Sequence, residues 1–177
     1  MKIVIIIQPI LFELPVDLSS SLEQHLSKEF DALVKTAVPI NDMPLLNLFD
    51  KNRKQWKSSE ILLWLLGRNK PDRGTKLIAI CDFDAYSNGL NFIFGQADAD
   101  GRVFAIYLPR LRQEFYGLKT DNSLFYKRII KETVHELGHA FGLKHCGNRM
   151  CIMHFSNSLQ DTDIKQNNFC DTCRTRI

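Results

Sequence analysis

Three histidines and a glutamate in residues 135–145 have spacings that suit a metal site. The stretch reads His-Glu-Leu-Gly-His-Ala-Phe-Gly-Leu-Lys-His, with histidines at His135, His139 and His145. On a helix, four positions turn the chain by about 400°, which brings His135 and His139 onto one face within about 40° of each other. Two imidazoles placed in this way can bind a single ion.

Gly142 and Glu136 are two further residues of this stretch that a hydrolytic metal site would need. Gly142 allows the chain to leave the helix sharply, so that His145 can return as a third ligand. Three neutral imidazoles leave a fourth position on zinc open for water, which is typical of a catalytic rather than a structural site. Zinc lowers the pKa of such a water towards neutrality, and Glu136 is suited to accept its proton as a general base.

Cysteines form a second cluster of possible ligands. Four of the five cysteines lie in the last 32 residues, and Cys81 alone follows an apolar run, where a core thiol is expected. An odd count without a secretory leader favours metal binding over disulfides. Four thiolates at paired short spacings suit a closed tetrahedral zinc site, with two disulfides or an iron centre as alternatives. These four are Cys146, Cys151, Cys170 and Cys173.

The histidine motif and the residues after it resemble a known family. His-Glu-x-x-His-x-x-Gly-x-x-His is the motif of the metzincin zinc peptidases. With the two cysteines and Met153 that follow, and the later Cys-x-x-Cys pair, the sequence resembles the archaemetzincins. Further resemblance lies upstream, in Asp82-x-Asp84-x-Tyr86, Leu90-Asn-Phe-Ile-Phe-Gly95 and Leu111-Arg-x-Glu-Phe-Tyr-Gly117.

The resemblance implies a role for each of these residues. It implies a zinc peptidase with two zinc ions per chain, one catalytic and one structural. Glu136 would be the general base, and Met153 would form a hydrophobic floor beneath the catalytic zinc. The implied ligands are His135, His139 and His145 for the catalytic zinc, and Cys146, Cys151, Cys170 and Cys173 for the structural zinc. Because Cys146 directly follows His145, we expect the cysteine zinc to position the third histidine.

Apolar runs and helical patterns along the chain predict an α/β (α+β) fold with a mixed sheet. Lys2–Ile7 and Lys76–Cys81 are continuous apolar runs, typical of strands buried on both faces. Between them, Leu18–Val34, with Ser19 to Ser21 as N-cap candidates, and Ser58–Leu66 have helical patterns. Alternation of strand and helix indicates a largely parallel sheet.

A hairpin and a long helix are predicted in the second half. Asn91–Gly95 and Val103–Leu108 flank a turn signal and read as antiparallel strands. A helix from Asn122 or Ser123 to about Phe141 would present one apolar stripe to the core and the histidines to a cleft. A last helix is expected over Asn157–Gln166.

The length of 177 residues predicts one domain, and the resemblance implies that this domain, 1–177, is metzincin-like. It would comprise an N-terminal subdomain, 1–142, that includes the active-site helix, and a small cysteine-rich zinc-bound subdomain, 143–177. Hydrophobic residues make up 45% and charged residues 24%, which excludes intrinsic disorder. No apolar run is long enough to span a membrane, and a net charge of +3 gives no indication of a nucleic-acid or membrane partner. We expect a cytoplasmic protein.

A peptide is the expected substrate. By resemblance, Asn91–Ala97 would be an edge strand that pairs with an extended substrate. Arg110, Arg112 and Lys119 could meet a substrate carboxylate, although a solvated loop is the simpler interpretation. Phe155 has no hydroxyl with which to reach the zinc, so we expect no further protein ligand. The predicted reaction is hydrolysis of peptide bonds; the alternatives are a hydrolase of non-peptide amides and a zinc-stabilised module that binds peptides without cutting them.

Overall fold

Eight strands form two sheets in the computed structural model, which describes residues 2–42 and 48–177. In chain order they are β1 (Val4–Ile10), β2 (Leu33–Thr36), β3 (Phe49–Asp50), β4 (Gln55–Lys57), β5 (Thr75–Cys81), β6 (Ala85–Tyr86), β7 (Gly95–Ala97) and β8 (Val103–Tyr107). The main sheet has the order β2-β1-β5-β8-β7, and β3-β4-β6 form a small second sheet. Four strands of the main sheet are parallel, and only its edge strand β7 is antiparallel to its neighbour. The predicted mixed sheet is confirmed.

Helices cover both faces of the main sheet. They are α1 (Val16–Phe30), α2 (Ser58–Asn69), α3 (Asn122–Ala140), α4 (Leu159–Ile164) and α5 (Asp171–Arg174). Apolar side chains of α1 and α3 pack with Ile78, Ile80 and Phe104 on one face. Those of α2 pack with Leu77, Ala79 and others on the opposite face. Both faces of β5 and β8 are therefore buried, as continuous apolar runs predict.

The first predicted helix, Leu18–Val34, has the wrong bounds. The helix begins at Val16 and ends at Phe30, because Asp31 takes a left-handed conformation (φ 45°) and its N–H bonds the Ser27 carbonyl. Leu33 and Val34 pair with β1 instead. The serine N-cap candidates, 19–21, consequently lie inside the helix.

Two further predictions shift by a few residues. The first strand of the hairpin is Gly95–Ala97 rather than Asn91–Gly95; it pairs antiparallel with β8, so the hairpin itself is confirmed. The last helix is Leu159–Ile164, shorter than expected, and a further short helix, Asp171–Arg174, was not predicted.

The long helix α3 matches its prediction closely. Asp121 caps its start by accepting a hydrogen bond from the Leu124 N–H, and Val134 and Leu137 of the apolar stripe are fully buried. At its end Gly142 has φ +83°, the left-handed stop expected of glycine. Within the described part of the chain, every helix falls short of the length and apolar character that a membrane span needs.

Candidate active site

Three imidazole rings meet at the C-terminal half of α3. One ring nitrogen from each of His135, His139 and His145 lies within 4.8 Å of the others. The ring centroids of His135 and His139 are 4.7 Å apart, and that of His145 is 4.9 Å from the His139 ring. The turn at Gly142 brings His145 back towards the helix, where its ring packs on Phe155 at 4.8 Å.

Hydrogen bonds fix which nitrogen of each helical histidine faces the centre. His135 Nδ1 donates to the Ile152 carbonyl and His139 Nδ1 to the Leu143 carbonyl, both at 2.8 Å. A carbonyl oxygen only accepts, so in each neutral ring the hydrogen is on Nδ1 and the Nε2 atom holds an unshared electron pair. The carbonyls thereby set the ring orientation, as the outer partners of metal-binding histidines do.

The distance between these electron pairs fits a cation. The Nε2 atoms of His135 and His139 are 3.2 Å apart. Two nitrogens at about 2.0 Å from a tetrahedral zinc would be about 3.3 Å apart. Burial lowers the pKa of His135 well below its usual range and also lowers that of His145, which favours the neutral rings that a metal requires. The donor set therefore fits zinc.

Glu136 lies in the same cleft as the histidines, with 6% of its surface exposed. Burial, together with the neighbouring negative charge of Glu132, raises the pKa of Glu136 to about 8, and the Lys165 ammonium partly offsets this. A cation held by the imidazoles would lower that pKa again, since an opposite charge favours the carboxylate.

The cleft has a volume of about 400 Å³ and β7 forms one wall of it. All residues of the expected edge strand, Asn91–Ala97, line the cleft, but only Gly95–Ala97 form a strand. Because the sheet order ends at β7, no strand of the described residues pairs with the outer edge of β7. An extended peptide can pair with such an edge.

Met153, the residue expected to form a floor beneath the zinc, is fully buried and packs against Gly138 of α3. Its sulfur approaches the backbone of Gly138 so closely that a Cβ at Gly138 would collide with it, and would also lie 3.0 Å from Phe169. Gly138 is thus required for this packing. The only sign of it in the sequence is a glycine inside a helix.

The four C-terminal cysteines also converge. Their sulfurs all lie within 4.8 Å of one another, and all five cysteines are free. Cys146 and Cys170 sulfurs are 3.9 Å apart, too far for a disulfide but close to the about 3.8 Å expected for two sulfurs on a tetrahedral zinc. Hydrogen bonds, first from the Cys173 backbone, lower the pKa of the Cys170 thiol to about 7, whereas burial raises the pKa of the Cys151 and Cys173 thiols. The distances between the sulfurs therefore carry the case for a metal site.

A buried ionic network that includes Glu132 of the cleft wall was not predicted. Lys165 and Glu132 are 0% and 3% exposed at their side chains and pair at 3.1 Å, and the Thr162 hydroxyl donates to the same carboxylate oxygen at 2.9 Å. Arg128 forms two hydrogen bonds with Asp163. The network joins α3 to α4, and no local sequence pattern marks it.

The two arginines considered for substrate binding are engaged elsewhere. Arg110 makes a bidentate pair with Asp84, and Arg112 pairs with Asp82 at 2.5 Å. Both side chains are therefore held by the carboxylates that follow β5 rather than free in solvent. Lys119 remains exposed.

Comparisons with known proteins agree with this geometry. Residues 67–177 match the family model of peptidase family M54. The archaemetzincin of Pyrococcus abyssi is 39% identical over 98% of this chain and 93% of its own length, and that of Methanocaldococcus jannaschii is 34% identical over 91% and 88%. The crystal structure of archaemetzincin from Methanopyrus kandleri has a TM-score of 0.83 at 32% identity, covering 98% of this chain and 92% of that one. A zinc-dependent peptidase from Methanocorpusculum labreanum also has a TM-score of 0.83, at 31% identity, covering 97% and 98%.

Proposed function

The chain belongs to peptidase family M54, the archaemetzincins, and is a zinc metallopeptidase; we propose that His135, His139 and His145 hold its catalytic zinc and that Glu136 is the general base. One observation carries this proposal. Three imidazole nitrogens converge in a cleft that also contains a buried carboxylate and the free edge of a sheet.

Each part of the cleft has a task in peptide hydrolysis. When bound, zinc supplies Lewis-acid polarisation of a water molecule and of the peptide carbonyl. The Ile152 and Leu143 carbonyls keep the lone pairs of His135 and His139 aimed at the centre. The edge of β7 holds the peptide extended through backbone hydrogen bonds, so substrate side chains need few dedicated partners.

Glu136 moves the proton. Its carboxylate accepts a proton from the attacking water while the water oxygen forms a bond to the carbonyl carbon. It then returns that proton to the amine nitrogen as the C–N bond breaks, so the carboxylate is regenerated. A buried position excludes bulk water from competing for the same proton.

We further propose a second, structural zinc held by Cys146, Cys151, Cys170 and Cys173, which makes two zinc ions per chain. The site would tie the last residues of the chain to Cys146, directly after His145, within the C-terminal subdomain, 143–177, which forms one domain with the N-terminal subdomain, 1–142. Four thiolates of this kind persist in a reducing compartment, which favours the cytoplasm. A peptide is the proposed partner, with no role for nucleic acid or a membrane surface.

A panel of fluorogenic peptides tests the proposal with wild type and Glu136→Gln. We expect the variant to retain zinc, measured by mass spectrometry, and to lose about 10²- to 10⁴-fold in turnover. A variant as active as wild type would contradict the role of Glu136. Peptide binding without turnover by the wild type would favour a binding module, and cleavage restricted to non-peptide amides would favour the other alternative.

A further inference from the structure

Gly95, the first residue of β7, lies directly against the Glu136 side chain. A Cβ built on Gly95 would lie 2.7 Å from Glu136 Cγ and 2.8 Å from Glu136 Oε1. Carbon atoms that are not bonded normally stay at least about 3.5 Å apart. Any side chain at position 95 therefore occupies space that the Glu136 side chain now fills.

Backbone conformation gives no other reason for a glycine here. Gly95 pairs with Ile106 in the sheet and is not among the residues with positive φ. A glycine inside a strand often marks a close approach by another group. The group that approaches Gly95 is the Glu136 carboxylate, together with the Ala105 carbonyl oxygen at 3.0 Å from the built Cβ.

Glu136 depends on such packing for its position. Among the described residues, no protein group donates a hydrogen bond to its carboxylate, although the side chain is buried. The neighbouring Glu132 carboxylate, in contrast, accepts hydrogen bonds from Thr162 and Lys165. The walls of the cleft, and the backbone of β7 in particular, thus determine where the Glu136 carboxylate lies.

We propose that Gly95 is a positioning residue for Glu136. Because Gly95 has no side chain, the Glu136 carboxylate can lie against β7, between the imidazoles and the peptide that pairs with β7. This inference rests on the proposed function, because it gives Glu136 the role of general base. The new element is that Gly95, which makes no contact with the reacting atoms, sets the distance between the Glu136 carboxylate and the bound peptide.

A methyl group at position 95 would displace the carboxylate more readily than the backbone. The Glu136 side chain is flexible, whereas the Ala105 carbonyl belongs to the sheet and needs to give only a few tenths of an ångström. A shift of about 1 Å in a reacting group can cost about 10² in rate. Gly95→Ala should therefore lower kcat about 100-fold while KM and zinc content stay within about twofold of wild type.

Gly67→Ala is the matched control, because the helical Gly67 has no atom within 4 Å of its built Cβ and should leave activity unchanged. The decisive comparison combines Gly95→Ala with Glu136→Gln. If Gly95 acts through the base, the double variant has the same kcat as Glu136→Gln alone. If the two losses multiply, or Gly95→Ala retains wild-type kcat, the inference is wrong.

Thermal unfolding of apo protein supplies a readout that does not depend on activity. Gly95→Ala should lower Tm in the wild type but not in a Glu136→Ala background, which lacks Cγ and Oε1. If Gly95→Ala alone does not fold, Gly95→Ala/Glu136→Ala still must, since both colliding atoms are gone. If that double variant did not fold, the inference would be wrong, because the Ala105 carbonyl rather than Glu136 would then exclude a side chain at position 95. Full activity of Glu136→Gln would instead refute the proposed function, and the unfolding result would still decide the placement of Gly95.

Discussion

A variant that lacks one partner of the buried Glu132–Lys165 pair should unfold at a markedly lower temperature than the wild type. Lys165→Met keeps most of the apolar stem but removes the ammonium, which leaves the Glu132 carboxylate at 3% exposure. Among residues 2–42 and 48–177, the Thr162 hydroxyl is then its one remaining donor. Breaking a buried ion pair in this way costs about 3–5 kcal/mol, because the remaining charge is neither paired nor hydrated.

The expected shift in Tm follows from chain length. At about 2–4 °C per kcal/mol for a protein of this size, Lys165→Met should lower Tm by about 6–20 °C. Urea titration monitored by circular dichroism would give the free energy of unfolding, with zinc saturating in every sample. Lys2→Met is the matched control, because Lys2 and Asp31 are 54% and 95% exposed and their pair should contribute less than about 1 kcal/mol.

The double variant Glu132→Gln/Lys165→Met separates charge from packing. With both charges gone, most of the lost stability should return, since the cost arises from an unpaired buried charge. A Lys165→Met protein within about 1 kcal/mol of wild type would refute this reasoning. So would a double variant that is no more stable than the single one.

Three further predictions concern other parts of the fold. Gly138→Ala should lower the free energy of unfolding by about 1–3 kcal/mol, despite the better helix propensity of alanine, because the added Cβ collides with Met153; urea titration measures this, and an unchanged value would contradict it. Ser158→Ala should cost about 1 kcal/mol at neutral pH by removing the N-cap of α4. Part of this cost comes from the hydrogen bond that the Ser158 hydroxyl donates to the Asp161 carboxylate, which lowers the pKa of Asp161. That part is present above about pH 4 and is lost as the pH falls through the folded pKa, so a Ser158→Ala effect that grew towards acid pH would be inconsistent with that sign. Cys170→Ser should lower both Tm and the zinc content of the histidine site. The reason is that Cys146 directly follows His145, and the Cys146 N–H donates a hydrogen bond to the Met153 carbonyl. If mass spectrometry found unchanged zinc and calorimetry an unchanged Tm, the cysteines would not position the third histidine.

Local patterns in the sequence predicted the elements whose signals are local. The long helix has a clear start, an apolar stripe and a glycine stop, so its bounds were close to the observed Asn122–Ala140. The boundary after Phe30 was missed because Leu33 and Val34 continue the helical spacing, and only pairing with β1 makes them a strand. Tertiary pairing overrode local periodicity there.

The residues that hold the site in place could not be predicted in the same way. Gly95 and Glu136 come together only because α3 packs on β7, and Glu132 meets Lys165 only because α4 folds back on α3. Their side-chain types carry no spacing rule, unlike the histidines, whose four-residue interval follows from helix geometry. Sequence therefore indicated the chemistry, and packing determined which residues support it.

Anomalous diffraction at the zinc edge, from crystals of the zinc-loaded protein, would test the central claim most directly. We predict one peak about 2 Å from a nitrogen of each of His135, His139 and His145, and a second about 2.3 Å from each of the four cysteine sulfurs. A zinc peak bound by other residues, or rings turned away from one another with no ion between them, would contradict it.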